Sequence, residues 1–75
     1  MAKKKFYYQG QLIRTSANDY KFAVVIPCED QTVFVVGCSA TYAGADKIKR
    51  REAYRFSEMR RAAMKIVEIS KDKNA

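Results

Sequence analysis

The spacing of hydrophobic and polar positions along this 75-residue chain changes at about residue 40. Before that point the apolar residues come in short runs: Phe6-Tyr7-Tyr8, Leu12-Ile13, Phe22-Ala23-Val24-Val25-Ile26 and Val33-Phe34-Val35-Val36. β-Branched and aromatic side chains dominate these runs, and turn-forming residues bound them, which predicts strands. Gln9-Gly10 offers a tight hairpin turn, because glycine reaches positive φ without a steric penalty. Ser16-Ala17-Asn18-Asp19 is a polar loop, Pro27 closes the third run, and Glu29-Asp30-Gln31 supplies the next turn. The expected result is an antiparallel meander of three or four short strands over about residues 4–38. Tyr8 to Arg14 can alternatively be read as one bulged strand.

Beyond Gly37 the period lengthens. Ser39 or Thr41 is a candidate N-cap, and Asp46 is favourable near a helix start. No proline or glycine falls between Ala45 and Ile69, and good helix formers fill the segment. At 100° per residue, Ala45, Ile48, Glu52, Phe56, Met59, Ala63, Ile66 and Val67 share one stripe. The expected element is one long amphipathic basic helix over about 42–69. The fold class is therefore α+β, a single small domain over residues 1–75, with flexible ends expected at 1–4 and 70–75.

Two tensions follow from that arrangement. The 25 residues from Ala45 to Ile69 would span about 37 Å as helix, whereas a six-residue strand spans about 20 Å. Either the helix breaks or its overhanging end packs against another chain. The central hairpin is also apolar on both faces, in either register. One helix covers one face, so the other is expected to be an exposed aliphatic patch. Together these features motivate a homodimer.

Composition narrows the chemistry. The chain carries 15 Lys and Arg against 8 Asp and Glu, a net charge of +7, and no histidine. The excess favours an anionic partner, nucleic acid or an acidic protein. The missing histidine removes the commonest general base at neutral pH and any Cys/His metal set. No nucleophile motif, paired carboxylates or phosphate-cradling glycine loop is present, so the chain is expected not to be an enzyme. Neither a cofactor, a metal nor a small-molecule substrate is expected. There is no apolar run long enough to cross a membrane, and Met1-Ala2-Lys3-Lys4-Lys5-Phe6 lacks the apolar stretch of a signal peptide. A cytoplasmic protein that does not engage membranes is expected. Cys28 and Cys38 lie at opposite ends of the expected hairpin, roughly 20 Å apart, so both thiols should be free.

The candidate site is the helix side opposite the apolar stripe: Lys47, Arg50, Arg51, Arg61 and Lys65, with Tyr54 among them. Cations there would meet phosphates, and the ring would stack on a base or bond a phosphate. Lys3, Lys4 and Lys5 are a possible second contact. A simply solvated helix face is the plainer reading, supported by the Asp46–Arg50 spacing and by Glu58 within reach of Arg55 or Arg61. Against it, Lys47/Arg51, Arg51/Arg55 and Arg61/Lys65 are like-charge pairs, each costing roughly 0.2–0.5 kcal/mol in a helix. Tyr7, Tyr8 and Tyr20 more simply pack together than form a stacking platform. Glu52, within the stripe, is expected to pair with Lys49 or Arg55. The favoured function is a small non-enzymatic module binding nucleic acid or a nucleoprotein. The alternative is a small protein-interaction or inhibitor protein, of the kind mobile elements encode, docking on an acidic protein surface.

Overall fold

A computed structural model describes residues 3–72. The architecture is α+β, with antiparallel strands in two sheets and helices after them. Strands β1 (Lys4–Tyr8) and β2 (Gln11–Ser16) form the first hairpin. Gln9 and Gly10 turn it at φ 49° and 80°, the pair of positive angles that matches the twist of the flanking strands. The alternative of one bulged strand from Tyr8 to Arg14 is thereby corrected, because the chain turns at Gln9-Gly10; a bulge does occur, within the hairpin. Phe6 pairs with Arg14 and Tyr7 with Leu12, which leaves Ile13 as the extra residue.

Strands β3 (Phe22–Pro27) and β4 (Val33–Ser39) form the second hairpin. Its turn is pinned by Cys28 N–H donating to the Thr32 carbonyl at 2.9 Å and by the Asp30 carboxylate accepting from the Thr32 hydroxyl at 2.5 Å. Cys28 sits in this turn, Cys38 near the far end of β4, and both thiols are free.

The expected meander is corrected at the next step. β3 does not pair with β2; it lies between β4 and a fifth strand, β5 (Lys65–Glu68), in the order β4-β3-β5. The long helix is corrected with it. Helix α1 (Tyr42–Glu52) ends in a 3-10 turn, Ala53–Arg55, and the chain is extended at Phe56 (φ −118°, ψ 154°). A short helix α2 (Glu58–Ala63) restarts at Ser57, whose hydroxyl accepts from Arg60 N–H at 3.3 Å. Of the two outcomes the long helix left open, it is the break that occurs. It returns Ile66 and Val67, β-branched residues suited to strands, to the second edge of β3, where backbone pairing satisfies both chains.

The second tension resolves within the same chain. Ala23 and Val25 face the first hairpin, in a cluster with Phe6, Val67 and Ile69. Val24 and Ile26 face the helical side, with Ala45, Met64 and the partly buried Ile48, Phe56 and Ile66. The sheet is apolar on both faces because the hairpin covers one and the helices the other. Neither face of the central hairpin is left bare and the helix does not overhang it, while Met59 and Ala63 of the expected apolar stripe stay exposed on α2. The hairpin is tied to the sheet at two places. Tyr7 and Ser70 exchange backbone hydrogen bonds of 2.7 and 3.0 Å, and the Gln11 carboxamide bonds both N–H and C=O of Val33 at 2.9 and 3.0 Å.

The terminal segments expected to be flexible are described in part. Lys4 opens β1, Ser70 is bridged to Tyr7, and Asp19 is ion-paired to both Lys4 (2.7 Å) and Lys71 (3.3 Å). The remainder of those segments, residues 1–2 and 73–75, lies outside the described residues.

Candidate anion-binding surface

Thr41, one of the two expected caps, starts α1: its hydroxyl accepts from Gly44 N–H at 3.0 Å. The Ser39 hydroxyl accepts from Thr41 N–H at 3.3 Å, so the two candidates act in series. Ala45 and Ile48 then point into the core, and the 100° step turns Lys47 and Arg50 to the opposite side with Arg51 beside them. All three are exposed. Arg50 pairs with Asp46 at 3.0 Å, as the spacing suggested. Glu52 lies at the stripe's edge and pairs with Arg55 at 3.5 Å, and less closely with Arg51 at 3.9 Å.

Tyr54 lies on the 3-10 turn that follows, and its side chain is 75% exposed. The Tyr54 oxygen, and then the Glu52 carboxylate, push the pKa of Arg55 up, and the guanidinium, like any arginine, is charged at working pH. Arg60 and Arg61 are exposed on α2. Among the described residues, Lys47, Arg60 and Arg61 have no carboxylate within 4.0 Å. α1, the 3-10 turn and α2 all lie over the Val24 face of the sheet, so these side chains share one layer of the molecule.

The helix break separates the remaining expected contacts from this layer. Lys65 is on β5, where it shares the hairpin side with Val67 and Ile69, and its ammonium stands 6.0 Å over the Tyr8 ring. It is not on a helix face with Arg61. Lys4 is engaged by Asp19, whereas Lys3 and Lys5 are exposed without a carboxylate partner among the described residues. The lysines of β1 belong to the hairpin layer, on the other side of the sheet from α1.

Tyr8 and Tyr20 are partly buried against the hairpin-side core, and Tyr20 meets Phe6 edge to face at 5.7 Å beneath the Arg14 guanidinium. They are structural aromatics. Arg55 and Arg60 are further exposed cations of the helical layer that the continuous-helix reading did not name. The signal for Arg60 was present in Ser57-Glu58, a capping residue followed by a first-turn carboxylate. Among the described residues there is no group of three His, Cys, Asp or Glu side chains placed to hold a metal ion, and no buried charged side chain. No described helix is long and apolar enough to cross a membrane.

The surface therefore offers exposed, partly unpaired cations around an exposed phenol. Comparison with protein-family models, curated proteins and solved structures returns no match in any of the three.

Proposed function

We propose that this chain is a small non-enzymatic module that binds nucleic acid across its helical layer. Lys47, Arg50, Arg51 and Arg61 meet backbone phosphates, and Tyr54 stacks on a base. One observation carries the reading: a tyrosine ring three-quarters exposed to water stands between two helices whose unpaired cations point outward. An apolar ring gains nothing by such exposure unless a partner covers it, and bases offer a π-face to any aromatic. Lys3, Lys5 and Lys65 extend the positive field on the hairpin layer and contribute to attraction at long range rather than to the same contact.

Fluorescence anisotropy with labelled duplex DNA, duplex RNA and single strands at two salt concentrations tests the reading. With three or four phosphates engaged on a duplex, log K falls against log salt with a slope of about −3 to −4. Tyr54→Ala weakens binding by roughly 1–3 kcal/mol if the ring stacks. If none of these ligands binds below about 100 μM at low salt, the nucleic-acid reading fails. The same cations would then serve the alternative, docking on an acidic protein surface.

A further inference from the structure

The helix break also leaves an apolar groove. Ile26 and Pro27 at the end of β3, Phe34 on β4, and Met59 and Ala63 on α2 line an open depression of about 550 Å³. Met59 is 84% exposed and Phe34 52% exposed. Phe34 is fixed from the side by an edge-to-face contact with Phe56 at 6.1 Å, so it stays at the mouth rather than turning inward. Two charged residues border the groove, Glu29 on the β3–β4 turn and Arg60 on α2. Among the described residues neither has an ion-pair partner within 4.0 Å.

We infer that this groove is the interface at which two copies of the chain associate. The charges select the occupant. An apolar floor with a carboxylate on its rim is a poor seat for a phosphate backbone, which sets it apart from the Tyr54 surface. An acidic protein would gain at Arg60 and lose at Glu29, so the rim gives it no net preference. A second copy related by a two-fold axis meets neither penalty, because an isologous interface pairs residue i with j and j with i. With the axis between them, Glu29 faces Arg60 of the second copy and Arg60 faces its Glu29. Each Met59, a long and unbranched side chain, is then covered by the other copy's Phe34 and Pro27. The inference stands apart from nucleic-acid binding, although pairing would double the cationic surface.

Sedimentation velocity on the full chain, from about 5 to about 200 μM at physiological salt, tests it. The chain should pass from monomer to dimer across that range. Met59→Asp replaces an exposed side chain, so the far-UV spectrum should be unchanged while the dimer is lost. Arg60→Glu and Glu29→Arg, taken singly, each set like charges opposite one another and should weaken association at least about tenfold. The double variant restores opposite charges in exchanged positions and should recover association to within about threefold of the original. A monomer at the highest concentration overturns the inference and leaves the groove to a different protein. A dimer indifferent to Met59→Asp, or a double variant no better than the singles, overturns it equally, because association then runs through another surface.

Discussion

Gly37 decides how closely the helical layer approaches the sheet. It pairs with Val24, a residue with no solvent exposure, directly beneath α1. A β-carbon built at Gly37 would lie 2.9 Å from Cγ2 of Ile48 and 3.6 Å from its Cδ1. The first distance is about 1 Å inside the usual carbon–carbon contact, so α1 or β4 must shift. Gly37→Ala therefore carries an overpacking cost of about 1–3 kcal/mol. The loss of backbone freedom in the unfolded chain offsets about 0.4–1 kcal/mol of that, leaving a net destabilisation of about 1–2 kcal/mol. Ile48→Ala removes the opposing methyl and by itself costs about 2 kcal/mol, at the low end for an aliphatic truncation because Ile48 is only partly buried. In the Ile48→Ala background, Gly37→Ala should be neutral or mildly stabilising, a coupling of about 1–2 kcal/mol. Urea unfolding of the four proteins, followed by circular dichroism, measures each term from midpoints and slopes. If Gly37→Ala is equally destabilising in both backgrounds, to within about 0.5 kcal/mol, the Gly37–Ile48 contact is not what limits helix–sheet approach.

Three further outcomes follow. Phe6 is the largest side chain buried without any solvent exposure and anchors the first hairpin to the sheet; Phe6→Ala should cost about 3–5 kcal/mol, comparable to the whole stability of a core this size, so a cooperative melt well above room temperature would refute the hairpin's role. Asp19, hydrogen-bonded and ion-paired to Lys4 and Lys71, has its pKa held below the ordinary 3.8, so its stabilising contribution is complete above that value and is lost as pH falls through the lowered one. Urea midpoints between about pH 5 and about pH 2 should fall less steeply for Asp19→Asn than for the original chain, and identical slopes would remove the pairing from consideration. Burial pushes the Cys38 thiol up, partly opposed by Arg14, whereas Cys28 is exposed; an aromatic disulfide reagent should label Cys28 quickly and Cys38 slowly in the folded protein, with two thiols per chain after unfolding, and a unimolecular count of zero would overturn the hairpin register.

Local chemistry alone was enough to locate the hairpin turn at Gln9-Gly10, the turn at Glu29-Asp30-Gln31, a helix cap at Ser39 or Thr41, and the inward side of Ala45, Ile48 and Phe56. Each of these depends on residues a few positions apart, through a positive φ, a side-chain cap or a helical period. The doubly apolar β3 was legible too, though not what would cover its second face. From Glu52 to Ile69 local preference favours a continuous helix, since nothing there forbids one. Tertiary contact overrides it: β3 has a second edge whose backbone groups need partners, and Ile66 and Val67 satisfy that edge while filling both cores. The same break moves Lys65 away from the helical layer, exposes Met59 beside Phe34, and leaves Tyr54 on a turn rather than mid-helix. The sequence by itself determined the α+β class, the positive charge and the apolar character of each strand, because these depend on composition and short-range spacing. Which cations share a surface, and which face the first hairpin covers, depend on pairing between residues more than forty positions apart, such as Ala23 with Val67 and Tyr7 with Ser70, and only the tertiary structure decided them.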